Sequence, residues 1–278
     1  MPASVGRRWL YCLPVGLLSA VFIFLPAVTC IVLAAQDPGL FLRMVKDGEF
    51  WATLGNTVGF AFFSVSSELV LGLALALLLN ARFAGRGFVR AAVLIPWALP
   101  AAIMAMGWSW MLHDHYGVIG DALGRLGFLS GHQKAWLAET GWARFWIVAT
   151  DVWKTTPFVA LIALTGLCSI PNDILEAAKM DGAGAWARFR LVILPLIKPY
   201  LLTALLFRAI QAFGIFDHIW VMTGGGPAGA TKTLALYIYE VVFRYLDLRY
   251  GAALTLALAA IVILFAGAGR LVMRHGEV

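Results

Sequence analysis

Charge is what this chain has least of. Asp, Glu, Lys and Arg make up 13% of its 278 residues while 62% are hydrophobic, whereas a soluble domain carries about 25% charged residues. A core large enough to absorb so much apolar sequence would leave too little polar surface, so a soluble globular protein is excluded and a polytopic membrane protein is expected. Cysteine is nearly missing. Cys12, Cys30 and Cys168 lie in or beside apolar runs without metal-ligand spacing, and an odd number completes no disulfide framework, so they read as packing residues. The five histidines form no zinc motif. His113 and His115 flank Asp114 in a polar stretch, where solvated loop residues are the plain reading and a ligand pair the alternative. There is no G-x-x-x-x-G-K-S/T run, hence no phosphate-binding loop, and no Ser-His, Cys-His or paired-carboxylate constellation in a catalytic context. No internal repeat, low-complexity tract or soluble-domain linker divides the chain. Its net charge of +6 is dispersed among apolar stretches rather than gathered on one face, which argues against nucleic acid and leaves membrane topology as its use.

What is present is a succession of long apolar runs. The first, Trp9 to Ala35, is about twice the length of an export signal core and is expected to remain as an anchor, with Arg7 and Arg8 before it in the cytoplasm and Pro14 and Pro26 free to bend it. Gln36 to Gly55 reads as an external loop. Asn56 to Asn80 is the second span, with Glu68 near its middle, a costly residue unless it faces protein or water. An interhelical hydrogen bond is the plain reading of Glu68, and a direct transport role the alternative. Val89 to Leu112 is the third span, interrupted by Pro96 and Pro100. His113 to Arg144 reads as external, with an interfacial helix around Lys134 to Ala143 and Trp136, Trp142 and Trp146 at headgroup level. Phe145 to Cys168, Leu196 to Phe216 and Tyr250 to Gly269 complete six spans. Eleven basic residues (Arg7, Arg8, Arg82, Arg86, Arg90, Lys179, Arg188, Arg190, Lys198, Arg270, Arg274) then fall on the cytoplasmic side. Eight (Arg43, Lys46, Arg125, Lys134, Arg144, Lys232, Arg244, Arg249) fall on the longer external loops. The bias predicts an all-α protein of six transmembrane helices with both termini cytoplasmic.

The stretch Ser169 to Pro199, SIPNDILEAAKMDGAGAWARFRLVILPLIKP, stands apart from these spans. Pro171 suits a first helical turn, Asp173 and Glu176 have capping-box spacing, Gly182 and Gly184 end the helix, and Trp186 to Leu194 resumes it. The expected product is a short cytoplasmic elbow. Glu176, Ala177, Ala178, Asp181, Gly182, Ala183 and Gly184, with Phe189, Leu194, Pro195 and Pro199, resemble at the same spacing the loop by which ATP-binding-cassette importer permeases dock on their ATPase. The DGA form followed by LPxxxP resembles the carbohydrate-uptake branch. FDHIWVMTGGGPAGATKTLALYIYEVVF is similar to that branch's external segment, in the subunit type that pairs with a second permease lacking the glycine loop. Gly224, Gly225, Gly226 and Pro227 form that loop; by residue type alone they make either a tight turn or an anion-accepting nest. Thr231 to Phe243 reads as an amphipathic helix.

The resemblance implies the type I importer permease fold and one membrane domain. Residues 1–55 would form the first helix and external loop, 56–272 the core of five helices with the elbow at 172–190, and 273–278 a cytoplasmic tail. It implies a subunit of a bacterial cytoplasmic-membrane importer that binds no cofactor itself. ATP and Mg would belong to two partner ATPase subunits, beside a second, distinct permease and an external sugar-binding lipoprotein or soluble protein. ATP-driven closure would pass through the elbow to the helices and open the pathway outward; hydrolysis would reopen it inward. The resemblance places cargo in mid-membrane near Trp97, Asp151, Trp153, Gln211, Gly214 and Asp217. Those types suit a sugar, whose rim needs hydroxyl partners and whose faces need flat apolar surfaces. Asp151 and Lys154 could instead pair on one helical face, and Arg208 could neutralise Asp217. With a composition that hints at a GC-rich bacterial genome, the resemblance implies trehalose or another disaccharide as the cargo. A polyol or glycerol-phosphate ester, and an ion-coupled transporter using Glu68, Asp151 and Asp217, are the alternatives.

Overall fold

The computed structural model describes residues 13–127 and 134–275, with side chains to residue 271. Arg7, Arg8, Trp9, Cys12 and His132, the side chains of Arg274 and His275, and the end of the expected tail lie outside the described residues. The chain is helical, and it divides into two compact units, Met1–Ala52 with Tyr237–Ile261, and Thr53–Leu236 with Val262–Val278.

In the first unit α1 (Leu13–Ala35) is apolar along its length and almost wholly exposed, as a lipid-facing helix is. A π-turn at Ala20–Phe24 precedes Pro26. In a regular helix the Pro26 ring would collide with the Phe22 carbonyl, and the wider turn removes that clash. The expected loop from Gln36 to Gly55 is instead mostly helical: α2 (Gly39–Lys46) is followed after Asp47 by α3 (Gly48–Asn80). Amphipathic α2, with Leu40 buried, supplied no long apolar run to read. Asp47 accepts hydrogen bonds from the Tyr237 hydroxyl (2.6 Å) and the Tyr250 hydroxyl (2.5 Å). Arg43 pairs with Asp247 at 2.8 Å and lies 4.1 Å over the Tyr250 ring.

The second unit is built on α3, α7 (Thr140–Cys168) and α9 (Ala185–Phe213). Ala76, Leu79, Ala160, Ala163, Leu164, Leu167 and Ile197 form its principal core. Small residues are prominent there because helices in lipid gain by close approach rather than by leaving water. At Gly72 a Cβ would lie 2.7 Å from Val159 Cγ1, so α3 and α7 touch there only through a missing side chain. Between them α4 (Arg86–Ala98) and α5 (Ala101–Met111) meet at 89°. Pro100 forces Leu99 into an extended conformation and breaks the run as its two prolines predict. Pro157 does not interrupt α7. No helix covers Lys134 to Glu139; α7 begins at Thr140 and runs straight into the span, and Trp136 is buried rather than placed on a surface helix. The fifth span starts earlier and stops sooner than expected. It includes the residues after Gly184, with a π-turn at Phe189–Ile193 ahead of Pro195, and ends at Phe213. Short α6 (Val118–Arg125), α8 (Asn172–Met180) and α10 (Asp217–Met222) complete this unit. Further on, α11 (Leu234–Tyr239, extended by a π-turn to Arg244) leads to α12 (Leu248–His275). Five helices among the described residues are long and apolar enough to cross a membrane, and a sixth crossing exists if α4 and α5 count as one broken span.

Candidate functional site

Helices α3, α7 and α9 carry ionisable residues into the packed interior at one level. Glu68 is 0% exposed, Arg208 4% and Asp151 5%. Isolated, each would be prohibitively costly in such surroundings, so their pairing is a condition of folding. Arg208 grips Glu68 with both arms of its fork, Nε to Oε2 at 2.5 Å and Nη2 to Oε1 at 2.8 Å. The same Nη2 reaches Asp151 Oδ2 at 3.1 Å, and Nη1 donates to Gln211 Oε1 at 2.8 Å. The Thr155 hydroxyl lies 2.6 Å from both Glu68 Oε1 and the Asp151 carbonyl, and its single proton serves one of them at a time. Glu68 therefore does make interhelical hydrogen bonds. Neither of the ion pairs open to sequence reasoning forms: Asp151 takes Arg208, not Lys154, and Arg208 takes Glu68 and Asp151, not Asp217. Lys154 Nζ donates to the Trp97 carbonyl at 3.2 Å, one of the acceptors that the broken α4 leaves free.

Above this network opens a cavity of about 400 Å³. It brings together Trp97, Asp151, Gln211, Gly214 and Asp217, with Lys154, Thr155 and Arg208. Trp153 is not on its wall; that ring is half-exposed and meets the edge of Trp108 at 5.5 Å. Trp97 stacks on Phe158 with centroids 5.7 Å apart. Sequence reasoning missed His218, 3% exposed, which is among the residues lining the cavity; its Nε2 is fully buried and has no hydrogen-bond partner among the described residues. Its signal was its place beside Asp217, just past the end of the fifth span.

At the elbow, α8 follows Pro171, which sits before the helix rather than in it, so Asp173 is a first-turn acid and no capping box forms. The helix ends in a Schellman closure: the Gly182 amide bonds to the Lys179 carbonyl and the Ala183 amide to the Ala178 carbonyl, both at 3.0 Å, with Gly182 left-handed at φ +77°. Glu176, Ala177, Asp181, Gly182 and Gly184 are exposed, and Ala178 and Ala183 half-buried. Met180 and Trp186 project beside them, 87% and 71% exposed, and a cleft of about 620 Å³ lies between the elbow and Leu77 of α3.

The glycine loop is a closed turn. The amides of Gly224, Gly225 and Gly226 bond to the Ile219 carbonyl, the Thr223 hydroxyl and the Thr223 carbonyl, so no nest of free amides faces an anion. Gly225 has φ +90°, and a Cβ there would lie 3.0 Å from Leu236 Cδ2. Pro227 follows a cis peptide bond. The Thr231 hydroxyl donates to the Gly226 carbonyl at 2.6 Å, Asn56 donates to the Lys232 carbonyl at 2.9 Å and Arg144 to the Ala230 carbonyl at 2.9 Å, pinning the loop to α3 and α7. Among the described residues no group of three or more His, Cys, Asp or Glu side chains is placed to hold a metal ion.

Long apolar helices, three of which in the second unit bury Glu68, Asp151 and Arg208 among them, mark a multi-pass membrane protein. Residues 68–275 match the family described as binding-protein-dependent transport system inner membrane component, and the chain belongs to that family, in its carbohydrate-uptake branch. It is 44% identical over 81% of its length, and 75% of the relative's, to the trehalose/maltose transport system permease protein MalF of Thermococcus litoralis. It is 43% identical over 80% of its length, and 71% of the relative's, to the sulfoquinovosyl glycerol transport system permease protein SmoG of Agrobacterium fabrum. Its fold is shared with a chain in the crystal structure of a bacterial alginate ABC transporter in complex with alginate pentasaccharide-bound periplasmic protein, at TM-score 0.87 and 21% identity over 98% of this chain and 96% of that one. The chain is thus a transport subunit of a permease family without catalytic ATP-binding motifs, and membership implies a partner permease, a separate ATPase and a substrate-binding protein.

Proposed function

We propose that this chain forms half of the translocation pathway of an ATP-driven importer whose cargo is an uncharged sugar, trehalose or another disaccharide. The observation that carries the reading is the polar cavity lined by Trp97, Asp151, Gln211, Gly214 and Asp217 over the Glu68–Arg208–Asp151 network. Its volume of about 400 Å³ falls within the range of small-molecule sites. The Asp151 and Asp217 carboxylates accept from sugar hydroxyls, Gln211 and Lys154 donate to them, and the Trp97 ring offers a flat face. Arg208 is committed to three partners, which removes the guanidinium a glycerol-phosphate ester would need. A permease related to a trehalose/maltose system supports the same reading.

In this reading six spans place both termini in the cytoplasm, residues 56–272 form the core, and the elbow 172–190 seats in a partner ATPase through Glu176, Asp181 and the exposed Gly182 turn. Glu176 and Asp181 act as mechanical contacts. Two ATPase subunits, a second and distinct permease and an external sugar-binding protein complete the assembly, and Gly224 to Pro227 lie on the external side. The test is a cargo panel on the reconstituted assembly: trehalose, maltose, glycerol 3-phosphate and sulfoquinovosyl glycerol, each with ATP hydrolysis and uptake measured. An uncharged disaccharide is expected to raise both. Stimulation by the charged compounds alone would overturn the neutral-sugar reading and turn attention to Lys154.

A further inference from the structure

One face of α7 holds the break between α4 and α5. In an unbroken helix the Trp97 carbonyl would accept from the Ala101 amide, four residues on. With Leu99 extended ahead of Pro100 and the two helices at 89°, that ladder is interrupted. A bare backbone carbonyl inside a membrane is costly. The Lys154 ammonium meets this one at 3.2 Å. Four residues further along α7, and so on the same face, the Phe158 ring stacks on the Trp97 ring with centroids 5.7 Å apart and planes 15° from parallel. Trp97 is thus gripped twice from α7, by its carbonyl and by its ring, and the last turn of α4, Ile95–Ala98, packs against that helix. Trp97 and Ala101, on either side of the break, both line the central cavity, as Asp151 and Lys154 do from α7; Phe158 is not on its wall.

We propose that Lys154 is a positioning residue for the cargo: it clasps the α4–α5 break to α7 through the Trp97 carbonyl and, with Phe158, fixes the cavity wall against which the sugar rests. The inference rests on the sugar-importer reading above and deepens it. The neighbouring charges leave Lys154 to this task. Asp151, three residues earlier on the same helical face, would be its natural ion-pair partner, but that carboxylate is taken by Arg208 at 3.1 Å. An ammonium has three N–H donors; one is committed to Trp97, and two remain for sugar hydroxyls, so wall and cargo can share one group. The clasp acts on affinity because a wall held in place before the sugar arrives need not be ordered by its binding.

The test uses the full assembly in lipid nanodiscs with its ATPase, partner permease and binding protein, and trehalose and maltose as probes. Lys154→Met keeps an unbranched side chain and removes the ammonium, Lys154→Arg keeps a cationic donor, and Phe158→Leu removes the stacked ring without touching a hydrogen bond. Lys154→Met and Phe158→Leu are each expected to raise the half-saturating concentration for sugar-stimulated transport about five- to tenfold, a larger effect than on the maximal rate, and Lys154→Arg to stay closer to wild type than Lys154→Met. Both changes loosen the same residue, so the double variant is expected to do little more than either alone, where independent effects would multiply to about 25- to 100-fold. With 5-fluorotryptophan incorporated, the fluorine resonance assigned to Trp97 by its loss in Trp97→Phe is expected to shift in Lys154→Met before any sugar is added; a lysine that touched only the sugar would leave it in place. Half-saturation unchanged in either single variant, losses that multiply in the double, or an unmoved Trp97 resonance overturns the clasp and leaves the sugar-importer reading standing. If Lys154→Met fails to assemble, Phe158→Leu alone decides in the same way. A wild-type assembly indifferent to either sugar overturns both.

Discussion

Removing Arg208 should be far more damaging than removing either carboxylate it holds. The network contains two carboxylates, Glu68 and Asp151, and one guanidinium, all at most 5% exposed. Arg208→Leu leaves two buried acids with no cation in contact and discards both arms of the Glu68 fork together with the contacts to Asp151 and Gln211. Losing one partner of a buried ion pair costs about 3–5 kcal/mol, because the remaining charge is stranded. Glu68→Gln removes one negative charge, leaves Arg208 paired with Asp151, and retains an amide oxygen for the guanidinium, so the cost is expected to be about 1 kcal/mol. The combination Glu68→Leu with Arg208→Leu deletes one charge of each sign and should recover much of the loss seen in Arg208→Leu. The assay is unfolding of each purified variant in detergent, read from tryptophan fluorescence, with membrane yield alongside. Equal destabilisation by Glu68→Gln and Arg208→Leu, or a double variant no better than Arg208→Leu, would refute the charge accounting.

Local geometry gives three more expected outcomes. Gly72→Ala forces a Cβ against the stiff Val159 side chain at 2.7 Å and the Ala160 amide at 3.2 Å, and is expected to cost about 1–3 kcal/mol in the same assay. Gly182→Ala places a side chain in a left-handed conformation, costing about 1–2 kcal/mol; faster hydrogen exchange over residues 177–183 should report the loosened helix end. For Asp47, burial raises the carboxyl's pKa, but the Tyr237 and Tyr250 hydroxyls and the Glu49 and Phe50 amides outweigh it and hold the group below its ordinary 3.8. A depressed folded value gives stability that is present above 3.8 and lost as pH falls through the folded value. The melting-temperature gap between wild type and Asp47→Asn should therefore be full at neutral pH and close in that acid range.

Local features were legible in the sequence because they are carried by neighbouring residues. The apolar runs announced the spans, Pro96 and Pro100 announced the break, and Gly182 announced the end of α8. Pro26 and Pro195 also announced, without being read, the π-turns just before them. Long-range pairing was not legible. Glu68 and Arg208 are 140 residues apart, and nothing along the chain tells Arg208 to prefer Glu68 over the closer Asp217. Trp153 was placed near the cargo, beside Asp151, by the resemblance, but positions two apart on a helix point about 200° apart, and its ring is half-exposed, off the cavity wall. Trp136 looked like an interfacial ring because tryptophan commonly is one; the Trp142 and Trp146 rings that close over it are placed there by the start of α7, which only the folded chain reveals.

The central question is whether ATP hydrolysis by the partner subunits obeys this chain's elbow. The assembly is purified through a tag on this subunit, its components are identified by mass spectrometry, and ATPase activity is measured with and without sugar-loaded binding protein, for wild type and Glu176→Ala/Asp181→Ala. Recovery of a second permease and an ATPase is expected, with hydrolysis raised by the sugar-loaded protein and that stimulation lost in the elbow variant while Arg208 and its partners stay folded. Transport by this chain with no ATPase recovered, or stimulation untouched by the elbow substitutions, would contradict it.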